Sequence, residues 1–146
     1  ILMLGDGDYL LEFKSQIAES GLTDRVHCAE AKQNVHPYLR VSDFFIMPSL
    51  HENHSIALLE ALAAELPVVS TDVGGNGEIV RDGIEGILIP AADSEKLKEA
   101  ILRMSNNSEM RDTCKKEIEK NNYPQFSNEY VDKQLDMVYQ QMLSRK

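Results

Sequence analysis

A mixed α/β chain, with a parallel sheet and helices on both faces, is predicted by three observations. Short apolar runs recur along the sequence, they alternate with stretches of helical period, and turns containing glycine or proline separate the two. Strands joined through helices run parallel, and right-handed crossovers distribute the helices over both faces. At 146 residues the chain has the length of one domain.

The elements follow in order. Residues 1–4 read as a strand, and Tyr9 to Ser20 as a helix with Leu10, Phe13, Ile17 and Ala18 on one stripe, ended by Gly21. Val26 to Ala29 is a short strand, and Val35 to Val41 a helix with Pro37 in its first turn. Phe44 to Met47 is a third strand. Ile56 to Ala64 follows as a helix of strong helix formers, apolar on nearly every face and therefore expected to be buried. Pro67 to Ser70 and Gly86 to Ile89 are strands either side of a helical turn, Gly77 to Val80. Ser94 to Met104 returns to the helical period through Leu97, Ala100 and Ile101. From Ser105 the chain is polar and largely helical. Leu135, Val138, Tyr139 and Met142 mark a narrow stripe on a last helix, for which packing on its own domain is one reading.

A formal charge of −9 argues against a nucleic-acid partner and against docking on an anionic membrane. No apolar stretch approaches the roughly 18 residues of a membrane span, and nothing at the start reads as a signal peptide. Direct membrane insertion is therefore not expected. Two cysteines, Cys28 and Cys114, do not make a disulfide framework, and a reducing, cytoplasmic setting is the simpler reading.

The chemistry concentrates between Glu52 and Glu60. Glu60 is the only charge on the apolar helix, so either a polar group meets it inside the fold or the helix opens onto a ligand site. Asn53 to Ser55 are natural N-cap residues, which puts Glu52 just ahead of the helix. At about 1.5 Å per residue the two carboxylates lie roughly 12 Å apart along the axis, about the reach from the sugar to the ribose of a nucleotide diphosphate sugar. The free N–H groups of the first turn between them suit a diphosphate. For Glu60 an internal salt bridge is the competing reading, and for Glu52 a plain surface loop.

Other motifs carry less. The run Gly5-Asp6-Gly7 lacks the third glycine of a dinucleotide fingerprint, because Leu10 takes its place. Gly74 and Gly75, after the fourth strand, would let the backbone approach a ligand or another helix. His51 and His54 flank Glu52, but their spacing is not that of a zinc-binding helix and no third ligand is evident, so no metal is expected.

The ordered series resembles a known family. The strand Val41 to Ser49, the Glu52-x7-Glu60 signature, the segment Glu60 to Gly75 and the segment Glu78 to Pro90 are together similar to the C-terminal, donor-binding half of retaining glycosyltransferases of the GT-B fold, family 4 type. Leu2 to Leu10 is similar to that domain's second strand and turn. The resemblance covers roughly residues 2 to 102. It implies a Rossmann-like domain over residues 1–146 that begins after the family domain's first strand and helix, which carry an Arg/Lys pair for the diphosphate. It also implies an N-terminal domain that would bind the acceptor and, for the last helix, the other reading, that it crosses to that domain.

The resemblance further implies that Glu60 accepts from the ribose hydroxyls, that Glu52 faces the reacting sugar, and that the main chain of Asn53, His54, Ser55, Ile56 and Ala57 holds the diphosphate. Lys32, Asn34 and Val35 stand where the family lies against the base. The implied parent moves a hexose from a nucleotide diphosphate sugar, such as a UDP-sugar, to a saccharide or lipid-linked acceptor in polysaccharide biosynthesis. It would need no cofactor and would be cytoplasmic or peripheral at the inner membrane face. Asn53, His54 and Ser55 depart from the glycine, aromatic and glycine or proline usual there, which bears on donor identity. Glu30 and Glu65 replace glycines at what reads as the surface. The competing readings are a nucleotide- or protein-binding module without catalysis, and a GT-B sugar-nucleotide epimerase.

Overall fold

The computed structural model describes residues 1–121 and 123–144, which divide into two compact units, Ile1–Tyr38 and Leu39–Lys146. In the first, strands β1 (Leu2–Leu4) and β2 (His27–Ala29) pair in parallel with Met3 opposite Cys28. Helix α1 (Leu10–Glu19) connects them and buries Ile17. Gly21, at φ 66°, ends that helix with its N–H on the carbonyl of Ala18. Helix α2 (His36–Arg40) carries the boundary between the units.

The second unit is built on strands β3 (Phe45–Met47), β4 (Val68–Thr71) and β5 (Gly86–Ile89), parallel in that spatial order, with Ile46 opposite Val69 and Val69 opposite Ile87. The five predicted strands are thus present and parallel, in one ladder per unit. All four residues of the central strand β4 are buried, as a strand covered on both faces requires. Alternation along the strands sorts the faces. Val69, Ile87 and Ile89 point to helix α5 (Ser94–Asn106), where Ala100 and Met104 complete a core joined by Ile46 and Leu97. Met47 points the other way and accepts a hydrogen bond from Ser55, the N-cap of helix α3 (Ile56–Ala63). Gly86 has a close-approach role, since a Cβ there would overlap the carbonyl of Val68.

A short helical turn, α4 (Asn76–Ile79), follows β4, and helix α6 (Ser108–Asn121) follows α5. A 3-10 turn (Pro124–Phe126) then leads into helix α7 (Asn128–Ser144).

One expectation needs correction, and two others gain detail. Helix α3 is buried on one face only, through Leu58, Ala61 and Leu62, while Ile56 at its start is 72% exposed. Apolar composition made the helix look buried all round, but at a helix entrance an apolar residue can face out. Among its described residues α7 buries nothing, and Leu135, Val138, Tyr139 and Met142 are all exposed, so the stripe is not packed within this unit. Glu65 is exposed as expected, but it sits at φ 61°, the left-handed conformation glycine adopts freely.

Candidate functional site

The segment from β3 to α3 is shaped by hydrogen bonds that its own sequence supplies. Ser55 caps α3, its Oγ accepting from the N–H of Leu58 at 3.4 Å while donating to Met47 Sδ at 3.1 Å, so the helix start is tied to the end of β3. Ser49 Oγ donates to Glu52 Oε1 at 2.8 Å, and Thr71 Oγ1, at the end of β4, donates to the carbonyl of Ser49 at 2.6 Å. Glu52 is therefore a half-buried carboxylate held from the C-terminal ends of two adjacent strands, where open α/β sheets bind ligands. The plain-surface reading of Glu52 does not fit this arrangement.

The glycine turn approaches the signature loop itself. Gly75 N–H donates to the carbonyl of Asn53 at 2.7 Å. Gly74, at φ 54°, lies so close that a Cβ would overlap the Glu52 carbonyl, and a Cβ on Gly75 would come within 2.7 Å of the Asn53 carbonyl oxygen. Buried Asn76 fastens this turn to β4, its Nδ2 donating to Ser70 Oγ at 3.3 Å and to the Thr71 carbonyl at 3.0 Å. The loop between Glu52 and Ser55 is thus braced from β4 by backbone contacts that larger residues would prevent.

Glu60 lies half-buried on α3, and among the described residues its carboxylate has no hydrogen bond and no ion pair. Among the described residues, then, no salt bridge holds Glu60. The N–H groups of Ile56 and Ala57 at the helix start likewise have no acceptor among the described residues. A carboxylate ahead of the helix, open amides at its first turn and an unpaired carboxylate one turn further on form one ordered set of polar groups. Two cavities border the segment, one of about 220 Å³ lined by Leu50, Thr71 and Asp93, another of about 460 Å³ lined by Leu59, Leu62 and Phe126. Neither is lined by Glu52 or Glu60.

The remaining predicted residues belong to the other unit or have other partners. Lys32, Asn34 and Val35 belong to the first unit. Lys32 is exposed, while Asn34 Oδ1 accepts from the N–H of His36 at 3.2 Å and so helps start α2. His54 packs its ring edge-on against Phe126, with centroids 5.4 Å apart. His51 is exposed, and among the described residues no three His, Cys, Asp or Glu side chains gather as a metal site would need.

Two features were not singled out from the sequence. Glu85, fully buried, accepts from Arg81 three times: from its backbone N–H at 2.7 Å, from Nε at 2.7 Å and from the terminal guanidinium nitrogen. This pairing raises the Arg81 pKa above its ordinary value, the hydrogen bond to Glu85 being the main cause. The i, i+4 spacing of Arg81 and Glu85 was the available signal. The other is Tyr123, stacked on Phe126 with centroids 6.2 Å apart. Burial, with Glu85 nearby, pushes its phenol up to about 12.

Residues 1–121 match the family described as Glycosyl transferases group 1. The chain is 32% identical over 112 residues to the glycosyltransferase MJ1178 of Methanocaldococcus jannaschii, covering 76% of this chain and 32% of that one. It is 26% identical over 143 residues to N-acetyl-alpha-D-glucosaminyl L-malate synthase of Bacillus anthracis, covering 98% of this chain and 38% of that protein. The fold matches the crystal structure of Anabaena Alr3699/HepE in complex with UDP, with a TM-score of 0.87 at 22% identity over 96% of this chain and 40% of that one. This chain belongs to the group 1 glycosyltransferase family, on a Rossmann-like, GT-B type fold. It spans about a third of the length of the curated relatives it matches.

Proposed function

We propose that this chain is the donor-binding half of a retaining glycosyltransferase that moves a hexose from a nucleotide diphosphate sugar to a saccharide or lipid-linked acceptor. The observation that carries this reading is Glu60, half-buried and unpaired on α3, on the helix whose first-turn amides are open and whose entrance holds Glu52. A carboxylate kept partly from water without an internal partner suits a hydroxyl pair brought by a ligand, here the ribose of the donor. The open N–H groups of Ile56 and Ala57, at the positive end of the helix dipole, would hold the diphosphate and offset charge as the leaving group departs.

Glu52 would face the sugar, where a fixed carboxylate stabilises positive charge developing at the anomeric carbon. The hydrogen bond from Ser49 orients it before substrate arrives. The UDP held by the HepE structure favours a uridine nucleotide as donor, and the polysaccharide- and lipid-linked activities named for several relatives favour an acceptor of that class. Among the described residues no helix is long and apolar enough to cross a membrane. Within this proposal the parent works in the cytoplasm or against the inner membrane face.

Sugar transfer by the full-length enzyme tests the reading. Glu60→Gln should raise the donor KM with a smaller change in kcat, while Glu52→Gln should lower kcat with a smaller change in KM. Unchanged constants in both variants would remove the assignment.

A further inference from the structure

The signature loop has a brace that lies far along the sequence. The geometry points to Phe126 as a positioning residue, which through the edge contact with His54 holds the Glu52–Ser55 loop against the glycine turn. His54, itself exposed, meets Phe126 edge-on with ring centroids 5.4 Å apart, and its Cδ2 lies so near Gly75 that a Cβ there would stand 3.2 Å away. The residue before it, Asn53, accepts from the Gly75 N–H at 2.7 Å. A shift of the imidazole therefore displaces the carbonyl that closes the loop onto β4.

Phe126 is itself fixed from behind. Tyr123 stacks on it at an interplanar angle of 14° and is held at φ 41°, a left-handed conformation that an aromatic residue adopts only where its surroundings impose it. Strain of this kind gathers at sites that must be held in one geometry. Phe126 also lines a cavity together with Leu59, Leu62 and Ala63 of α3, so it touches the signature loop and faces the signature helix across that cavity. A strut runs from Tyr123 through Phe126 to His54 and ends one residue from Asn53. The imidazole at position 54 gives the strut a ring to press on.

Positioning stands on these contacts alone, whereas its consequence for donor binding rests on the proposed function. The test is hydrogen exchange of the Gly75 amide, followed by NMR in the intact chain. Phe126→Leu, which keeps apolar volume but loses the ring, should speed that exchange about three- to tenfold and move the amide signals of Asn53 to Ser55. Phe126→Tyr should restore both. In a His54→Ala background the Phe126→Leu change should have no further effect. Unchanged exchange, or an equal effect with His54 absent, would overturn the positioning role. In the full-length enzyme the same Phe126→Leu change should raise the donor KM about three- to tenfold with kcat nearly unchanged. A normal KM beside a Glu60→Gln variant that is impaired would overturn the link to the donor. Loss of every Glu60 effect would instead overturn the proposed function and leave the exchange result to decide the positioning.

Discussion

The turn that carries Glu85 and the helix that carries Glu60 lie in the same unit and treat a glutamate in opposite ways. Glu85 is fully buried, and the backbone and guanidinium of Arg81 supply three donors to its two oxygens. Glu60 is half-buried and receives no donor among the described residues. A desolvated carboxylate is costly unless paired, so the first arrangement is a finished structural joint and the second is an open one. The difference teaches where to look: in this unit the carboxylate that resembles a buried salt bridge is the structural one, and the one left waiting is the candidate for function.

The largest way to break the comparison is Arg81→Ala. It strands a buried carboxylate and should cost about 3 kcal/mol of stability, read from denaturant midpoints, whereas Glu60→Gln should leave the midpoint within about 0.5 kcal/mol of wild type. Equal losses would mean that Glu60 is structural as well. Next comes Glu52→Gln in the full-length enzyme, expected to lower kcat about 100-fold, near 2.7 kcal/mol, in single-turnover assays. The companion Glu60→Gln should weaken the donor about tenfold, close to 1.4 kcal/mol, measured by calorimetry.

A smaller effect concerns Tyr123. Its folded pKa of about 12 lies above the ordinary phenol value near 10, so folding favours the neutral form. That contribution is complete below pH 10 and is lost as pH rises toward 12. Tyr123→Phe should flatten the fall in stability across this window, and an unaltered slope would show that the phenol is not the group responsible. The smallest is Glu65→Gly, which relieves a left-handed non-glycine backbone and should raise stability by about 1 kcal/mol in the same denaturant assay.

Much of this was legible in the sequence, for identifiable reasons. The strands and α3 were readable because their apolar runs and the Ser55 cap are local signals, and each boundary moved by no more than two residues. The pair Glu52 and Glu60 stood out because charge on an apolar background is visible without coordinates. The partners of these residues were not readable. Ser49 is three residues from Glu52, but only the turn after β3 aims its hydroxyl at the carboxylate. Phe126 is far from His54 along the chain, and nothing local connects a 3-10 turn to a loop more than seventy residues earlier. The glycine pair was read as room for a ligand or another helix, and the neighbour turned out to be the Glu52–Asn53 backbone, a long-range contact that periodicity does not encode.

The most direct test of the central claim is an NMR titration of the labelled chain with UDP, GDP and their hexose conjugates, which reads binding as weak as about 1 mM. The account predicts, for one base, shifts gathered at Asn53 to Ala57 and at Glu60, with the Glu60→Gln variant losing most of the affinity. Shifts that gather elsewhere, such as around Arg81 and Glu85, or binding that Glu60→Gln leaves intact, would contradict it.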